Sequence, residues 1–510
     1  MAARGNVLFI TLDQWRGDCL SALGHPVVRT PNLDRLAARG SLFANHWAQA
    51  VPCGPSRACL YTGTYLHQNR SVLNGTPLDG RFTNIALEAR AAGYDPVLFG
   101  YTDSSVDPRE VDPEDPRLRT YEGVLPGFRA VLDLPFETMQ PWMEHLAALG
   151  YPMPERIHQI FDADPAFPGA ADHLPSWAPP IYRAEHSETA YLTDELLTWL
   201  GGRDPGEGWF VHASYLRPHS PYRAVAPYHE RYDPAEVALP VRAPSMEEEG
   251  AQHLLAALAQ SVVPAPADEA EMRQIRATYY GMMAEVDDHL GRLLDWLDAS
   301  GQAADTLVVL TADHGDQMGD HWLMEKAGYW DASYHVPMIV VDPRAPLGTS
   351  GRRVEAFTEH VDVVPTILEW LQVEIPAQCD GRALTPFVSG DGSGPADWRT
   401  EVHWEWDFRH PASHLVEDLL GLTMEQCSLN VIRDDCWKYV HFAGMEPLLF
   451  DLVEDPEQFL NRADDPACAP VVAEYAQRLL SWRMRHADRA LTGTILTPRG
   501  PVSRVDPRVG

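Results

Sequence analysis

Asn6-Val7-Leu8-Phe9-Ile10-Thr11-Leu12 is a continuous apolar run that ends at Asp13-Gln14. A run without polar alternation fits a strand buried on both faces, as in the middle of a parallel sheet. Working outward, Pro31 to Ala37 opens a helix after Thr30 as its cap, with Gly40 to stop it. Residues 187–200 read as a helix and 209–213 as the strand after it. Ile275, Tyr279, Met282, Val286, Leu290, Leu293 and Leu297 recur at steps of three and four, which predicts one long amphipathic helix over 271–299. Strands follow at 306–311 and 336–341. Strands alternating with helices imply a largely parallel sheet covered on both faces.

Two of these strands end in metal-ligand chemistry. The first delivers Asp13-Gln14, and 306–311 delivers Asp313-His314-Gly315-Asp316. In open α/β sheets ligands bind beyond the carboxyl ends of the strands, so segments far apart in the chain can converge. Two carboxylates, an amide oxygen and an imidazole suit a hard divalent cation, Mn²⁺ or Ca²⁺ with Mg²⁺ as a third choice, better than a thiolate zinc centre. The competing reading of Asp313-His314-Gly315 is an ordinary strand-ending turn.

Cys53-Gly54-Pro55-Ser56-Arg57 is the other chemical stretch. Pro55 is pre-set for the first turn of a helix and lacks an N–H that would go unsatisfied there. Cys53 then stands at a helix N-terminus, where free N–H groups and the helix dipole attract anions. Arg57, one turn on, has a forked donor suited to sulfate or phosphate oxygens. A tyrosine-phosphatase reading needs a longer gap between Cys and Arg than the three residues found here. A buried structural cysteine beside a helix start is the alternative.

Composition sets the bounds. The chain has 510 residues, 45% of them hydrophobic, enough for more than one sizeable core. The formal charge of −33 argues against a nucleic-acid partner, and no stretch is long and apolar enough for a membrane span. An anionic substrate is still compatible with that charge, because exposed carboxylates are screened beyond about 8 Å at physiological salt. Glu247-Glu248-Glu249 reads as a solvated acidic loop. Seven scattered cysteines without a C-x-x-C pair, and a polar start too short for a signal peptide, lead to the expectation of a cytoplasmic protein with reduced thiols.

Taken in order, Asp13-Gln14, the C-x-P-S-R run, Pro218-His219-Ser220-Pro221, Asp313-His314-Gly315, Lys326 and the stretch from His360 to Thr366 resemble the sulfatase family from Asn6 to about Arg485. The resemblance implies an alkaline-phosphatase-like three-layer α/β/α fold with a mostly parallel sheet, and a smaller C-terminal α+β domain with an antiparallel sheet. It implies that a formylglycine-generating enzyme oxidises Cys53 to formylglycine, whose hydrate supplies the nucleophile. It also implies metal binding by Asp13, Gln14, Asp313 and His314 with the modified Cys53 as neighbour, Arg57 steadying that residue, His219 and Lys326 holding the leaving oxygen or the transferred group's oxygens, and Asn74 as a polar contact.

One departure bears on the branch. Typical sulfatases carry Gly-Lys-x-His after the strand that here is 94–99, whereas this chain reads Gly100-Tyr101-Thr102-Asp103. Both expected basic residues are absent. That pattern resembles the phosphonate monoester hydrolase branch, except that Asp103 stands where a hydroxyl residue is expected. The sequence reading puts aryl sulfate hydrolysis first, with phosphonate monoesters and phosphodiesters second, and the reverse order as the alternative. A non-catalytic anion-binding relative with an unmodified Cys53 is the reading from another class. Tyr101 is assigned to the site, and Asp103 is expected to act as the base that replaces the missing histidine.

The expected domains are 1–375 for catalysis, 376–490 for the smaller domain and 491–510 as a tail. Loop insertions at about 141–180 and 218–266 are expected over the mouth of the site, with Trp142, Tyr151, Trp177, Tyr182 and Tyr222 as candidates for an aryl pocket. The tail resembles arms that join subunits, so a homodimer or homotetramer is expected around a small anionic ester substrate.

Overall fold

The computed structural model describes residues 5–204, 206–346, 348–390 and 392–503. Its main sheet has eight strands in the order Arg129–Asp133, Val97–Gly100, Phe210–Tyr215, Asn6–Leu12, Thr306–Ala312, Met338–Val341, Ser41–Phe43, Arg352–Val354. Asn6–Leu12 is central and parallel to both neighbours, with Val7 level with Phe210 and Leu307. Met338–Val341 alone runs against its neighbours.

The central strand explains the three layers. Leu8, Ile10 and Leu12 face one core, which holds Leu192 and Leu196 of the helix Glu188–Gly201 and Tyr279, Val286, Leu290 and Leu293 of Glu269–Ala299. Val7 and Phe9 face the other, with Leu60 and Tyr61 of Cys53–Thr62 and Ile367 and Leu368 of Val363–Leu371. Each fully buried large apolar side chain contributes about 1.5–3 kcal/mol relative to exposure, so a strand apolar on both faces is held from both sides.

The helix Pro31–Arg39 departs from expectation at its cap. Thr30 makes no side-chain cap bond; Asp287 of the long helix instead accepts from Leu33 N at 2.8 Å and Asn32 N at 3.0 Å. A carboxylate from another element satisfies the orphan amides and ties the two helices together.

A second sheet is antiparallel, Val402–Asp407, Ser428–Arg433, Trp437–Phe442, Leu448–Asp451 in order, and the helix Ala469–Arg485 packs on it through Tyr475, Leu479 and Trp482. Trp404 stacks on Trp47 with centroids 5.3 Å apart, joining this sheet to the larger unit.

The segments read as loop insertions carry structure of their own. The helix Gln140–Ala148 buries Trp142 and Leu146. The helices Met246–Gly250 and Leu254–Val262 lie in the second segment. Glu249 is not solvated, as its acidic run suggested; it is buried and pairs with His321 Nδ1. In the tail, Thr494–Thr497 and Gly500–Ser503 form a hairpin that the sequence reading did not foresee, with Ile495 and Leu496 exposed. The tail residues 504–510 and the polar start 1–4 lie outside the described residues.

Candidate active site

The carboxyl ends of Asn6–Leu12 and Thr306–Ala312 are adjacent, and the helix Cys53–Thr62 points its first residue at the gap between them. One ligand atom each from Asp13, Cys53, Asp313 and His314 lies within 4.8 Å of all the others, and all four residues are buried. Cys53 Sγ is 3.2 Å from His314 Nε2 and 3.9 Å from Asp13 Oδ1. His314 donates from Nδ1 to Gly315 O at 2.9 Å, which leaves Nε2 as the acceptor facing the cluster. Burial, followed by the charge of Lys326, lowers the His314 pKa to about 3, so the ring is neutral as a metal ligand requires.

Arg57 is not the anion clamp that its place one turn from Cys53 suggests. It is fully buried and its fork is spent on carboxylates: Nε donates to Asp313 Oδ2 at 3.0 Å and Nη2 to Asp13 Oδ2 at 3.1 Å. Nη1 takes Ser214 Oγ at 2.8 Å. The guanidinium therefore holds the two acids apart and in register, and does not reach out to an anion. Burial works against charge on Asp13, but the positive groups around it, Arg57 and Lys326 among them, keep its pKa well below the carboxylate range. Burial and the Asp13 charge push Asp313 up to about 6. The donor set of carboxylate oxygens, an imidazole and a neighbouring amide fits a hard divalent ion, which would supply positive charge for this pair.

Gln14 adopts φ 68°, strained for a residue with a side chain. Its N–H donates to Asp313 Oδ1 at 3.1 Å and its carbonyl accepts from Tyr279 OH at 2.6 Å. Its side-chain Oε1 accepts from Lys326 Nζ at 2.7 Å. Lys326 Nζ also lies 2.9 Å from His219 Nε2. Tyr101 OH donates to Asp13 Oδ2 and its ring lies over the Arg57 guanidinium, 4.5 Å to the centroid. Asn74 Oδ1 accepts from Gly54 N at 2.9 Å, capping the helix that carries Cys53.

Asp103 has φ 47° and lies 3.7 Å from Arg57 Nε through Oδ2, while its buried Oδ1 has no hydrogen-bond partner. Burial pushes its carboxyl well above the ordinary range, against the pull of Arg57. Every residue assigned to the site from sequence therefore lies in one connected shell.

Most of the loop aromatics are engaged with neighbouring side chains and backbone. Trp142 is fully buried and donates to His186 O, Tyr151 OH meets His186 Nδ1, Trp142 meets Tyr182 edge to face, and Trp177 stacks on His173. The aromatic ring beside His219 is Phe136, with centroids 5.3 Å apart, a residue the sequence reading passed over. Asp316 has no role assigned from sequence, and Tyr222, a candidate for the aryl pocket, instead donates from its OH to Asp316 Oδ2 at 2.7 Å behind Gln14. The D-H-G-D spacing was the available signal for Asp316, but a turn aspartate reads the same way.

Residues 5–373 match the sulfatase family, and residues 319–485 match the family described as N-sulphoglucosamine sulphohydrolase, C-terminal. The chain is 43% identical to the multifunctional alkaline phosphatase superfamily protein PehA of Trinickia caryophylli, covering 98% of this chain and 99% of the relative. It is 26% identical to an arylsulfatase of Clostridium perfringens, covering 89% of each. Among solved structures it resembles the phosphonate monoester hydrolase of Agrobacterium radiobacter, with a TM-score of 0.93, 45% identity and coverage of 99% and 100%.

Proposed function

Because the chain belongs to the sulfatase family, we propose that it is a formylglycine-dependent, metal-assisted hydrolase of phosphonate monoesters and phosphodiesters that also cleaves aryl sulfate esters. This reverses the order read from the sequence, and what supports the reversal is the likeness to the phosphonate monoester hydrolase and to PehA over nearly the whole chain. The observation that carries the hydrolase reading is the convergence of Cys53 Sγ with donors of Asp13, Asp313 and His314 at a buried helix start.

Asp13, Asp313, His314 and Gln14 would hold a hard divalent cation, Mn²⁺ or Ca²⁺ by preference, which acidifies the nucleophile and offsets substrate charge. Cys53 Sγ occupies the position that the hydroxyls of a hydrated formylglycine take after maturation. Lys326 and neutral His219 stand together on one side of that position. Lys326 is the proton donor of this pair, placed to stabilise and protonate the departing oxygen. Asp103 Oδ1, without a partner of its own, accepts the proton of the second hydroxyl. Arg57 keeps Asp13 and Asp313 in place, and Tyr101 orients Asp13.

Sulfate monoesters, phosphodiesters and phosphonate monoesters each present a single negative charge, so one cation with Lys326 and His219 serves all three. The reading extends to a cytoplasmic setting, supported by seven free cysteines. It extends also to a homodimer or homotetramer joined through the hairpin that exposes Ile495 and Leu496.

The test is kcat/KM for matched p-nitrophenyl phenylphosphonate and p-nitrophenyl sulfate, with aldehyde-bearing enzyme and added Mn²⁺. Phosphonate is expected ahead by more than about tenfold, or 1.4 kcal/mol. Sulfate ahead by that margin restores the arylsulfatase order. An unmodified Cys53 thiol in peptide mass spectra, from protein made alongside a formylglycine-generating enzyme, overturns the catalytic reading altogether.

A further inference from the structure

The amide of Gln14 lies between two groups that cannot exchange roles. On one side its Nε2 donates to Asp316 Oδ2 at 2.5 Å and to Tyr222 OH at 3.2 Å. On the other its Oε1 accepts from Lys326 Nζ at 2.7 Å. An ammonium has no lone pair to accept with, and Asp316 Oδ2 already accepts from Tyr222 OH as well as from the Gln14 amide. Flipping the amide would set its oxygen against a carboxylate and its NH₂ against a cation. Asp316 is itself held: Oδ2 also accepts from Tyr222 OH at 2.7 Å, and Oδ1 accepts from Met318 N at 2.8 Å. Gln14 and Asp316 are wholly buried, so neither has water as an alternative partner.

We propose that Asp316 and Tyr222 are the positioning residues of Gln14, fixing its amide so that the carbonyl oxygen alone faces the cation site and Lys326. Neither belongs to the cluster of Asp13, Cys53, Asp313 and His314. They act through Gln14. A ligand whose partner fixes its orientation binds a metal more tightly than one free to turn, and loss of such a partner typically costs about 10–100-fold in metal affinity. In Asp316→Asn the new side-chain amide can turn its own NH₂ toward Gln14 Nε2, so Gln14 loses its fixed acceptor and Lys326 alone is left to hold the amide. In Tyr222→Phe the carboxylate loses one of its donors and the Gln14 amide loses a neighbour, a smaller effect in the same direction.

This inference rests on reading the cluster as a divalent-cation site, and the experiment separates the two. The full-length chain is stripped with EDTA, and the dissociation constant for MnCl₂ is measured by the electron paramagnetic resonance signal of free Mn²⁺. Thermal unfolding of the metal-free proteins is followed in parallel. The expected result is a dissociation constant raised about 10–100-fold in Asp316→Asn and less in Tyr222→Phe, with metal-free Tm values close to that of the parent. Unchanged Mn²⁺ affinity in folded Tyr222→Phe and Asp316→Asn overturns the assignment while leaving the cation site standing. If Asp316→Asn does not fold, Tyr222→Phe decides alone, and parental affinity there overturns it. A parent protein that binds no Mn²⁺ overturns the cation reading and this assignment with it.

Discussion

Lys326 Nζ lies 2.9 Å from His219 Nε2, and His219 Nδ1 donates to Ser220 O at 2.6 Å, so the neutral imidazole accepts a hydrogen bond from the ammonium at Nε2. Burial and the Lys326 charge lower the His219 pKa to about 4, while the acidic groups around Lys326 keep the lysine charged. Of the pair, Lys326 carries the proton that a leaving oxygen needs.

Lys326→Ala should therefore lower kcat/KM by about 10²–10⁴-fold, and more for alkyl than for p-nitrophenyl leaving groups. The check is a series of aryl phosphonate esters of graded leaving-group pKa. The variant should show a steeper dependence than the parent, and an unchanged slope assigns the proton elsewhere.

Asp103→Asn should leave the first half of the reaction and stall the second, so that enzyme mixed with substrate carries a covalent phosphonate or sulfate adduct visible by intact mass. Its raised carboxyl pKa also fixes a pH sign. Asp103 accepts a proton only when ionised, so parental turnover should rise with pH through a group above the usual carboxylate range. The asparagine variant should lack that limb. Normal turnover without an adduct would leave Asp103 as a structural group.

Arg57→Leu removes the cation between two buried acids. An uncompensated buried charge typically costs about 3–5 kcal/mol, and here Asp13 and Asp313 both lose their partner. Urea unfolding of the metal-free variant should show a loss of that order, with Mn²⁺ restoring part of it by mass action.

Glu122 is buried beside this site, and burial raises its pKa from 4.5 to about 7 against the hydrogen bond it accepts from Glu137 N. Between those values the folded state binds the extra proton, so its contribution is full at low pH and is lost as pH rises through about 7. The size is on the order of 3 kcal/mol. Glu122→Gln should flatten stability against pH over that interval in urea titrations, and a parallel curve for parent and variant would contradict the shift.

Much of the scaffold was legible because local patterns carry it. An apolar run such as Asn6–Leu12 has few fates other than a doubly covered strand, and the steps from Ile275 to Leu297 match only a helix face. The reversed direction of Met338–Val341 was not legible, because direction is set by which neighbours a strand joins and not by its own residues. The hairpin at Thr494–Ser503 was missed for want of a buried face.

The identities of the site residues, Asp13, Cys53, Asp313, His314, Lys326 and His219, were determined by the sequence itself, since their chemistry and order are written in the chain. Their roles were decided by tertiary structure. Arg57 looked like an anion clamp one turn from Cys53, yet its donors go to Asp13 and Asp313 because those carboxylates are buried against it with no water to satisfy them. Glu249 looked solvated, yet it is buried against His321. Tyr222 looked like pocket lining, yet it donates to Asp316 behind Gln14. Hydrogen-bond partners are chosen by distance in space after burial has removed water as a competitor, and that choice appears only when the strands and helices have been brought together.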